Sequence, residues 1–423
     1  MFVEPLKKFD KTLTCKPDKS VTHRAVMFNA MLDCGRATIK NPLISADVLS
    51  TADCMKRLGA QIEVGEKTIE IVRGGIRKNA ELDCGNSGTT MRLLTGLLAG
   101  CEGREVSLYG DESLSRRPMK RVADPLRKMG AQIDCIGLTP PLSVTGAKLK
   151  GIDYEMPVKS AQVKSALLLA GLFADGKTTV HEQSKSRDHT ERMLRAMGAS
   201  IEFDDKKACV VGGAKLHNVD VEVCGDISSA AFPFVLAAGG EGGRTTVKNV
   251  GINPTRTGII DVLRAMGADV KTENIVEGFE PVADVTVRAN TLRPIVVGGG
   301  LIPRLIDELP IIAVLCAVAS GESVICDAAE LKVKETDRIK TTVNMLTALG
   351  VEAVATDDGM RIYGRGRIEG GGVVDSCGDH RIAMAAAVAM SLSKKGGTLL
   401  NADACAVSYP DFFGNVLGLK GEE

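Results

Sequence analysis

Charged side chains recur at one kind of place in this sequence, the polar opening of a strongly apolar stretch. Six such stretches can be read: DKSVTHRAVMFNAML from Asp18, NSGTTMRLLTGLLAG from Asn86, KSAQVKSALLLAGLFA from Lys159, DISSAAFPFVLAAG from Asp226, DELPIIAVLCAVASG from Asp307 and DHRIAMAAAVAMSL from Asp379. Asp, Ser and Asn at these openings suit helix N-caps, and glycine follows several of the ends. Capping alone does not call for Lys19, Arg24, Arg92, Lys164, Glu308 or Arg381 within about a turn of the cap. Charge at the start of an otherwise apolar helix must reach solvent or find a partner. A cation there is also disfavoured by the positive helix end, by about 0.3 to 1 kcal/mol. A bound anion offsets that cost, because helix N-termini and basic side chains attract the same ligand. The openings therefore predict anion binding.

A second series sets the elements that hold these openings. MKRLGAQIEV from Met55, LRKMGAQIDC from Leu126, LRAMGASIEF from Leu194, LRAMGADVKT from Leu263 and LTALGVEAVA from Leu346 share one plan. Each reads as the last turn of an amphipathic helix, a glycine stop and an alternating strand. Their glycines, Gly59, Gly130, Gly198, Gly267 and Gly350, are 71, 68, 69 and 83 residues apart. The chain length of 423 divided by six gives about 70, in phase with the apolar helices. Six similar units are expected, each with one buried helix, one amphipathic helix and several strands.

Composition narrows the partners. The 53 Lys and Arg balance 53 Asp and Glu, so no global basic field exists to attract nucleic acid. Aromatic residues make up 3% with no Trp, too few for base-stacking platforms. The twelve cysteines have no CxxC spacing, and small buried thiols in a reducing compartment are expected. MFVEPLKKFD lacks the apolar run of a signal peptide, and no apolar run spans a bilayer. A cytoplasmic protein with small-molecule ligands and no membrane partner is expected.

Eight motifs in order along the chain, DKSVTHR, GNSGTTMR, RRPMKR, SAQVKSALLLAG, SRDHTERML, GDISSA, LKVKETDRI and GDHRIAM, resemble the enolpyruvyl transferase family. The match runs over essentially the whole chain and fits the branch acting on shikimate-3-phosphate. It implies an α/β fold, a two-domain inside-out α/β barrel of six βαβαββ-type units that closes around its substrates. One domain would span 18–225 and the other would combine 1–17 with 226–423, with crossings near 12–20 and 225–240. The implied reaction belongs to aromatic amino acid biosynthesis through the shikimate pathway. It joins phosphoenolpyruvate to shikimate-3-phosphate by addition and elimination, with release of phosphate, no metal or organic cofactor, and a monomeric enzyme.

Carried over motif by motif, the resemblance gives Lys19, Ser20, Arg24, Ser160, Ala161, Gln162, Ser186, Asp307 and Lys334 to shikimate-3-phosphate. Lys19, Gly88, Arg117, Gln162, Arg338 and Arg381 go to phosphoenolpyruvate, supported by Asn86, Thr89, Arg92, Asp379 and His380. Asp307 matches the acceptor of the hydroxyl proton and Glu335 the carboxylate that handles the methylene proton, with Lys19 completing the catalytic set. Plain capping is the rival reading for Asp307, and a solvated, internally paired helix start the rival for KETDR. Gly88 matches a position where a small residue leaves room for the inhibitor glyphosate. In SRDHTER, Ser186 is the binding residue, while Arg187 to Glu191 are expected to cap and to pair at the surface.

The chemistry explains the demand for cations. Each substrate carries a phosphate and a carboxylate, and each like-charge pair costs about 3 kcal/mol at about 5 Å and an effective dielectric near 20. Two departures from the family pattern stand out: Pro17 replaces a common glycine, and Val407 stands where some members have a lysine. The sister branch, acting on UDP-N-acetylglucosamine, presents a cysteine in the loop before its Arg-Pro. Here that loop is DESLSRRP.

Overall fold

The computed structural model describes residues 1–32, 35–157 and 159–419. Cys34, one of the twelve cysteines, lies outside the described residues. The chain forms two compact units, one continuous, Pro17–Cys224, and one discontinuous, Met1–Lys16 with Gly225–Glu423.

Helices alternate between the two series. The buried series consists of α1 (Lys19–Met31), α3 (Gly88–Ala99), α5 (Ala161–Gly171), α7 (Ile227–Gly239), α10 (Leu309–Val318) and α12 (His380–Ser391). The amphipathic series consists of α2 (Ala46–Leu58), α4 (Lys120–Lys128), α6 (His189–Ala196), α8 (Gly258–Met266) and α11 (Arg338–Ala348), and a single turn, α9 (Ile302–Leu305), precedes α10. A helix apolar on all sides cannot leave a face in water, and every residue of α12 is buried. Each fully buried Leu, Ile, Val or Met contributes roughly 1.5 to 3 kcal/mol, so this series anchors each unit.

The five glycine phrases end their helices identically. Gly59, Gly130, Gly198, Gly267 and Gly350 all take a positive φ, between 82° and 115°. The amide after each bonds back to a helix carbonyl, as in Ala60 to Met55, Ala131 to Leu126, Ala199 to Leu194, Ala268 to Leu263 and Val351 to Leu346. This is the Schellman closure, and a side chain at the left-handed position would strain it.

In the continuous unit each sheet has four strands, one parallel pair and then antiparallel neighbours. One example runs Ala80–Asp83, Glu105–Tyr109, Leu142–Thr145, Gln132–Cys135. Both units draw one strand from a distant segment. Val221–Glu222 pairs with Ala37–Lys40 in the continuous unit, and Asp10–Thr14 with Arg244–Gly251 in the discontinuous one.

The sixth repeat departs from the expectation. After α12 and the strand Gly397–Leu400 the described residues include no amphipathic helix with a glycine stop. The chain instead makes a 3-10 segment, Ala402–Val407, and a π-turn, Phe413–Leu417. Its sheet has three strands, with Phe2–Val3 antiparallel to Gly397–Leu400. The reason is local: Ser408-Tyr409-Pro410 breaks any helix, and Phe412 packs edge-on against Phe232, Tyr409 and Phe413 with centroids 5.5 to 5.6 Å apart. Eleven cysteines are described as free thiols, most of them buried, although Cys377 is exposed.

Candidate active site

In the continuous unit the helix openings form as their caps predict. Asp18 accepts from the Val21 amide at 2.8 Å, Ser87 from Thr90 at 3.2 Å and Ser160 from Val163 at 3.4 Å. α3 and α5 approach closely because α3 has Gly96, where a Cβ would stand 2.2 Å from the Ala166 carbonyl oxygen. That approach lets Arg92 donate through Nη1 to Gln162 Oε1, while Gln162 Nε2 donates to Thr89 Oγ1 at 3.0 Å. Arg117, from the loop before α4, donates through Nη2 to Asn86 Oδ1 at 2.8 Å and to Ser113 Oγ at 3.2 Å. A Cβ on Gly88 would lie 2.8 Å from Arg92 Nη1 and 3.4 Å from Arg117 Nη1. Asn86, Gly88, Thr89, Arg92, Arg117 and Gln162 thus meet in one group.

Arg24 is nearly sealed and spans three elements. Its Nε donates to Thr190 Oγ1 at 2.8 Å, Nη2 to Ser165 Oγ at 3.1 Å and Nη1 to the Ser20 carbonyl at 3.0 Å. Lys19 pairs with Asp47 of α2 at 3.0 Å. Ala161 opens α5 immediately after the Ser160 cap. Ser186 donates its amide to Glu182 at 3.0 Å, and its hydroxyl is buried with no protein partner.

Two expectations need correction here. Lys164 belongs to no anion site. It is 1% exposed and clasped by Glu182 at 2.7 Å and Glu191 at 2.6 Å. Burial lowers its affinity for a proton, but the two carboxylates outweigh burial and hold the ammonium charged. Burial pushes Glu191 above the usual carboxylate range against the pull of Lys164. The segment from Arg187 to Glu191 is also no surface pairing patch, since Asp188, His189, Thr190 and Glu191 are all buried. Thr190 and Glu191 find partners on α1 and α5, which local spacing does not reveal, while Asp188 pairs with Arg192 of its own helix at 2.9 Å.

The discontinuous unit gathers carboxylates. α10 starts at Leu309 with Pro310 in its first turn, and Glu308 stands at the cap position without a side-chain cap bond. Asp307 is therefore not a simple cap. Its Oδ1 lies 3.2 Å from both Lys334 Nζ and Arg338 Nη1. Arg338 also reaches Glu335 at 2.6 Å and Asp379 at 2.8 Å, and Asp379 in turn caps α12 by accepting from the Arg381 amide at 2.9 Å. Glu335 and Arg338 do pair at i,i+3, yet Arg338 is 2% exposed, so KETDR is not a solvated start. Asp307 and Glu335 keep 16% and 25% exposure, enough to meet a ligand. Burial works against the Arg338 charge, but Asp379, Glu335 and Asp307 outweigh it and hold the guanidinium protonated. Burial likewise raises Asp379, and Arg338 overrides it, leaving the carboxyl below its usual range.

Arg381 Nη1 donates to the Ser228 carbonyl at 3.2 Å. Behind it Arg256 meets Ser228 Oγ at 2.5 Å, Asp226 at 3.3 Å and Glu308 at 3.8 Å. Glu308, fully buried and bonded to Ser228, is thus interior framework and no part of an anion-binding start. His380 is buried beside Asp379 at the same helix opening. Val407 ends the 3-10 segment, and nearby Lys16 Nζ pairs with Asp411 at 2.7 Å and lies 5.4 Å from the Tyr409 ring centroid.

Sequence reading missed Asp47, Thr190 and Arg256. All three lie at openings of the amphipathic helices, and each delivers a side chain onto a buried-series opening. The signal was present, since NPTRTG precedes α8 as RRP precedes α4. Among the described residues no cluster of His, Cys, Asp and Glu is placed to hold a metal, and no helix is long and apolar enough to cross a membrane.

The sequence profile of the family described as EPSP synthase (3-phosphoshikimate 1-carboxyvinyltransferase) matches residues 3–416. The chain is 51% identical over 403 residues to the 3-phosphoshikimate 1-carboxyvinyltransferase of Bacillus subtilis (strain 168), covering 94% of each. It is 52% identical over 410 residues to that of Geobacillus kaustophilus (strain HTA426), covering 95% of this chain and 96% of the other. Among solved structures, EPSP synthase from Acinetobacter baumannii superposes with a TM-score of 0.86 at 41% identity, over 99% of this chain and 97% of that one. The enolpyruvyl transferase NikO from Streptomyces tendae, at 19% identity and a TM-score of 0.79, shares the fold. It covers 99% of this chain and 96% of its own.

Proposed function

The chain belongs to the EPSP synthase (3-phosphoshikimate 1-carboxyvinyltransferase) family, and we propose that it transfers the carboxyvinyl group of phosphoenolpyruvate to the 5-hydroxyl of shikimate-3-phosphate. The observation that carries this is the match to relatives of that name at about half identity over nearly the full length of both chains. The absence of a cysteine from DESLSRRP favours it over transfer to UDP-N-acetylglucosamine. On this reading the enzyme works in the cytoplasm as a monomer on small molecules, and the balanced charge supports the lack of a nucleic-acid partner.

The 5-hydroxyl oxygen bonds to C2 of phosphoenolpyruvate while its proton leaves and the methylene carbon gains one. The tetrahedral adduct then loses a proton from the new methyl group, and the C2–O bond to phosphate breaks. Asp307 accepts the hydroxyl proton, with Lys334 and Arg338 beside its carboxylate. Glu335, on the other side of Arg338, gives a proton to the methylene carbon and takes it back. Lys19, a compact cation, serves both substrates, with Ser20, Arg24, Ser160, Ala161, Gln162, Ser186 and Lys334 holding shikimate-3-phosphate. Gly88, Arg117, Gln162, Arg338 and Arg381 hold phosphoenolpyruvate, where each charged hydrogen bond contributes about 1.5 to 3 kcal/mol. All five supporting residues serve the phosphoenolpyruvate pocket, Asn86, Thr89 and Arg92 beside Arg117 and Gln162, and Asp379 and His380 beside Arg338 and Arg381.

Phosphate release on mixing the purified protein with phosphoenolpyruvate and either acceptor tests the assignment. Release with shikimate-3-phosphate is expected, whereas faster release with the sugar nucleotide would refute it.

A further inference from the structure

Inside the continuous unit a line of buried polar groups joins three helices. His23 Nδ1 lies 2.7 Å from Thr51 Oγ1, Thr51 Oγ1 lies 2.6 Å from Thr90 Oγ1, and Thr90 Oγ1 donates to Ser87 Oγ at 2.7 Å. His23, Thr51 and Thr90 have no exposed surface and Ser87 has almost none, so no solvent competes for these bonds. The direction of donation follows from counting hydrogens. Ser87 Oγ accepts both the amide and the hydroxyl of Thr90. The Thr51 hydroxyl has two acceptors, Thr90 Oγ1 at 2.6 Å and the Asp47 carbonyl at 3.4 Å; with the Thr90 hydrogen committed, Thr51 donates along the shorter contact to Thr90, and His23 must then donate its Nδ1–H to Thr51. Burial holds His23 down to about 3, and its Nε2 has no protein partner, so the ring is neutral with its one proton on Nδ1.

The register of the line gives it a role. His23 is one turn along α1 from Lys19, and Thr51 one turn along α2 from Asp47. α1 and α2 are therefore joined by two rungs, Lys19 to Asp47 at 3.0 Å and His23 to Thr51 at 2.7 Å. Thr51 then ties α2 to α3 two residues beyond Gly88.

We propose that Thr51, oriented by His23 and tied to Thr90, is a positioning residue that fixes the spacing between the Lys19 and Gly88 helix openings. The functional part rests on the family reading above, since Lys19 and Gly88 are the phosphoenolpyruvate residues of these two openings. A lateral shift of either opening acts on ligand placement, because a displacement of about 1 Å can cost a factor of ten or more.

Thr51→Val keeps the shape and removes the bonds to His23 and Thr90 along with the longer contact to the Asp47 carbonyl, whereas Thr51→Ser keeps all three. Thr95→Val is the control, since Thr95 is equally buried on α3 and bonds only to the Met91 carbonyl of its own helix. Steady-state phosphate release should show the KM for phosphoenolpyruvate raised roughly tenfold in Thr51→Val, with kcat changed less than about threefold. Thr51→Ser and Thr95→Val should stay within about twofold of the parent KM. Thr51→Val within twofold of the parent, or Thr95→Val shifted as far as Thr51→Val, would overturn the positioning role. Imidazole ¹⁵N NMR reads the relay independently of turnover. A proton on Nδ1 of His23, in bonded exchange protection in the parent and Thr51→Ser and exposed to exchange in Thr51→Val, is expected. An Nε2-protonated ring in the parent would sink the relay even in an active enzyme. A parent inactive with both acceptors would sink the family reading while leaving the relay to the NMR result.

Discussion

Arg24, Arg92 and Arg117 of the continuous unit and Arg256 and Arg338 of the discontinuous one are oriented by different groups. In the continuous unit, Arg24 is oriented by the hydroxyls of Ser165 and Thr190 and the Ser20 carbonyl, Arg92 by Gln162 and Arg117 by Asn86 and Ser113. Those hydroxyl, carbonyl and amide contacts orient each guanidinium. In the discontinuous unit, Arg338 lies among Asp307, Glu335 and Asp379, and Arg256 between Asp226 and Glu308. One pattern suits capture of an anion, while the other suits holding carboxylates ready for proton transfer. The same repeat thus supplies different chemistry through the partners that its second helix opening delivers.

Breaking the carboxylate cluster should have the largest effect. Arg338→Met leaves Asp379 buried and uncompensated, and urea unfolding should show a loss of roughly 3 to 5 kcal/mol, together with loss of turnover. A loss below about 1 kcal/mol would show that the cluster does not hold its unit together.

Acid should separate the units next. The folded chain keeps His23 neutral down to about 3, whereas the unfolded chain protonates it near 6.5, so the unfolded state binds more protons between those values. Stability carried by His23 is full above that window and declines as pH falls through it, by an amount on the order of a few kcal/mol. Asp379 is depressed, so its contribution is full above the unfolded carboxylate value of about 3.9 and is lost only as pH falls below that. Melting curves of the parent and His23→Gln should therefore converge as pH drops from about 6.5 towards 4. Parallel curves would remove His23 from the account.

Arg24→Met should weaken shikimate-3-phosphate binding by roughly two orders of magnitude or more, since two charged hydrogen bonds of about 1.5 kcal/mol or more are lost. Calorimetry of that variant should still show a folded protein. Gly88→Ala should have the smallest effect. Its methyl would crowd Arg92 Nη1, a flexible end that can give way, so the KM for phosphoenolpyruvate should rise a few-fold, roughly 1 kcal/mol or less.

These contrasts were unevenly legible in the sequence. Helix openings and glycine stops are local signals, and five Schellman turns form where the phrases placed them. The buried helices could be read because they are apolar on every side. Lys164 was misread because Glu182 and Glu191 reach it from a later loop and helix. Asp47 and Arg256 escaped notice although they meet Lys19 and Ser228 within their own repeats, and Thr190 because it reaches Arg24 of another repeat, since no periodicity reports which opening faces which. The sixth repeat was over-extended from the other five, although the missing glycine phrase was already visible.

The contrast between capture and proton transfer is tested most directly by calorimetric binding of shikimate-3-phosphate to Asp307→Asn and Glu335→Gln, each paired with its turnover. The account predicts dissociation constants within about fivefold of the parent and turnover reduced by roughly a hundredfold or more. Binding lost in step with turnover, or turnover near the parent value, would contradict it.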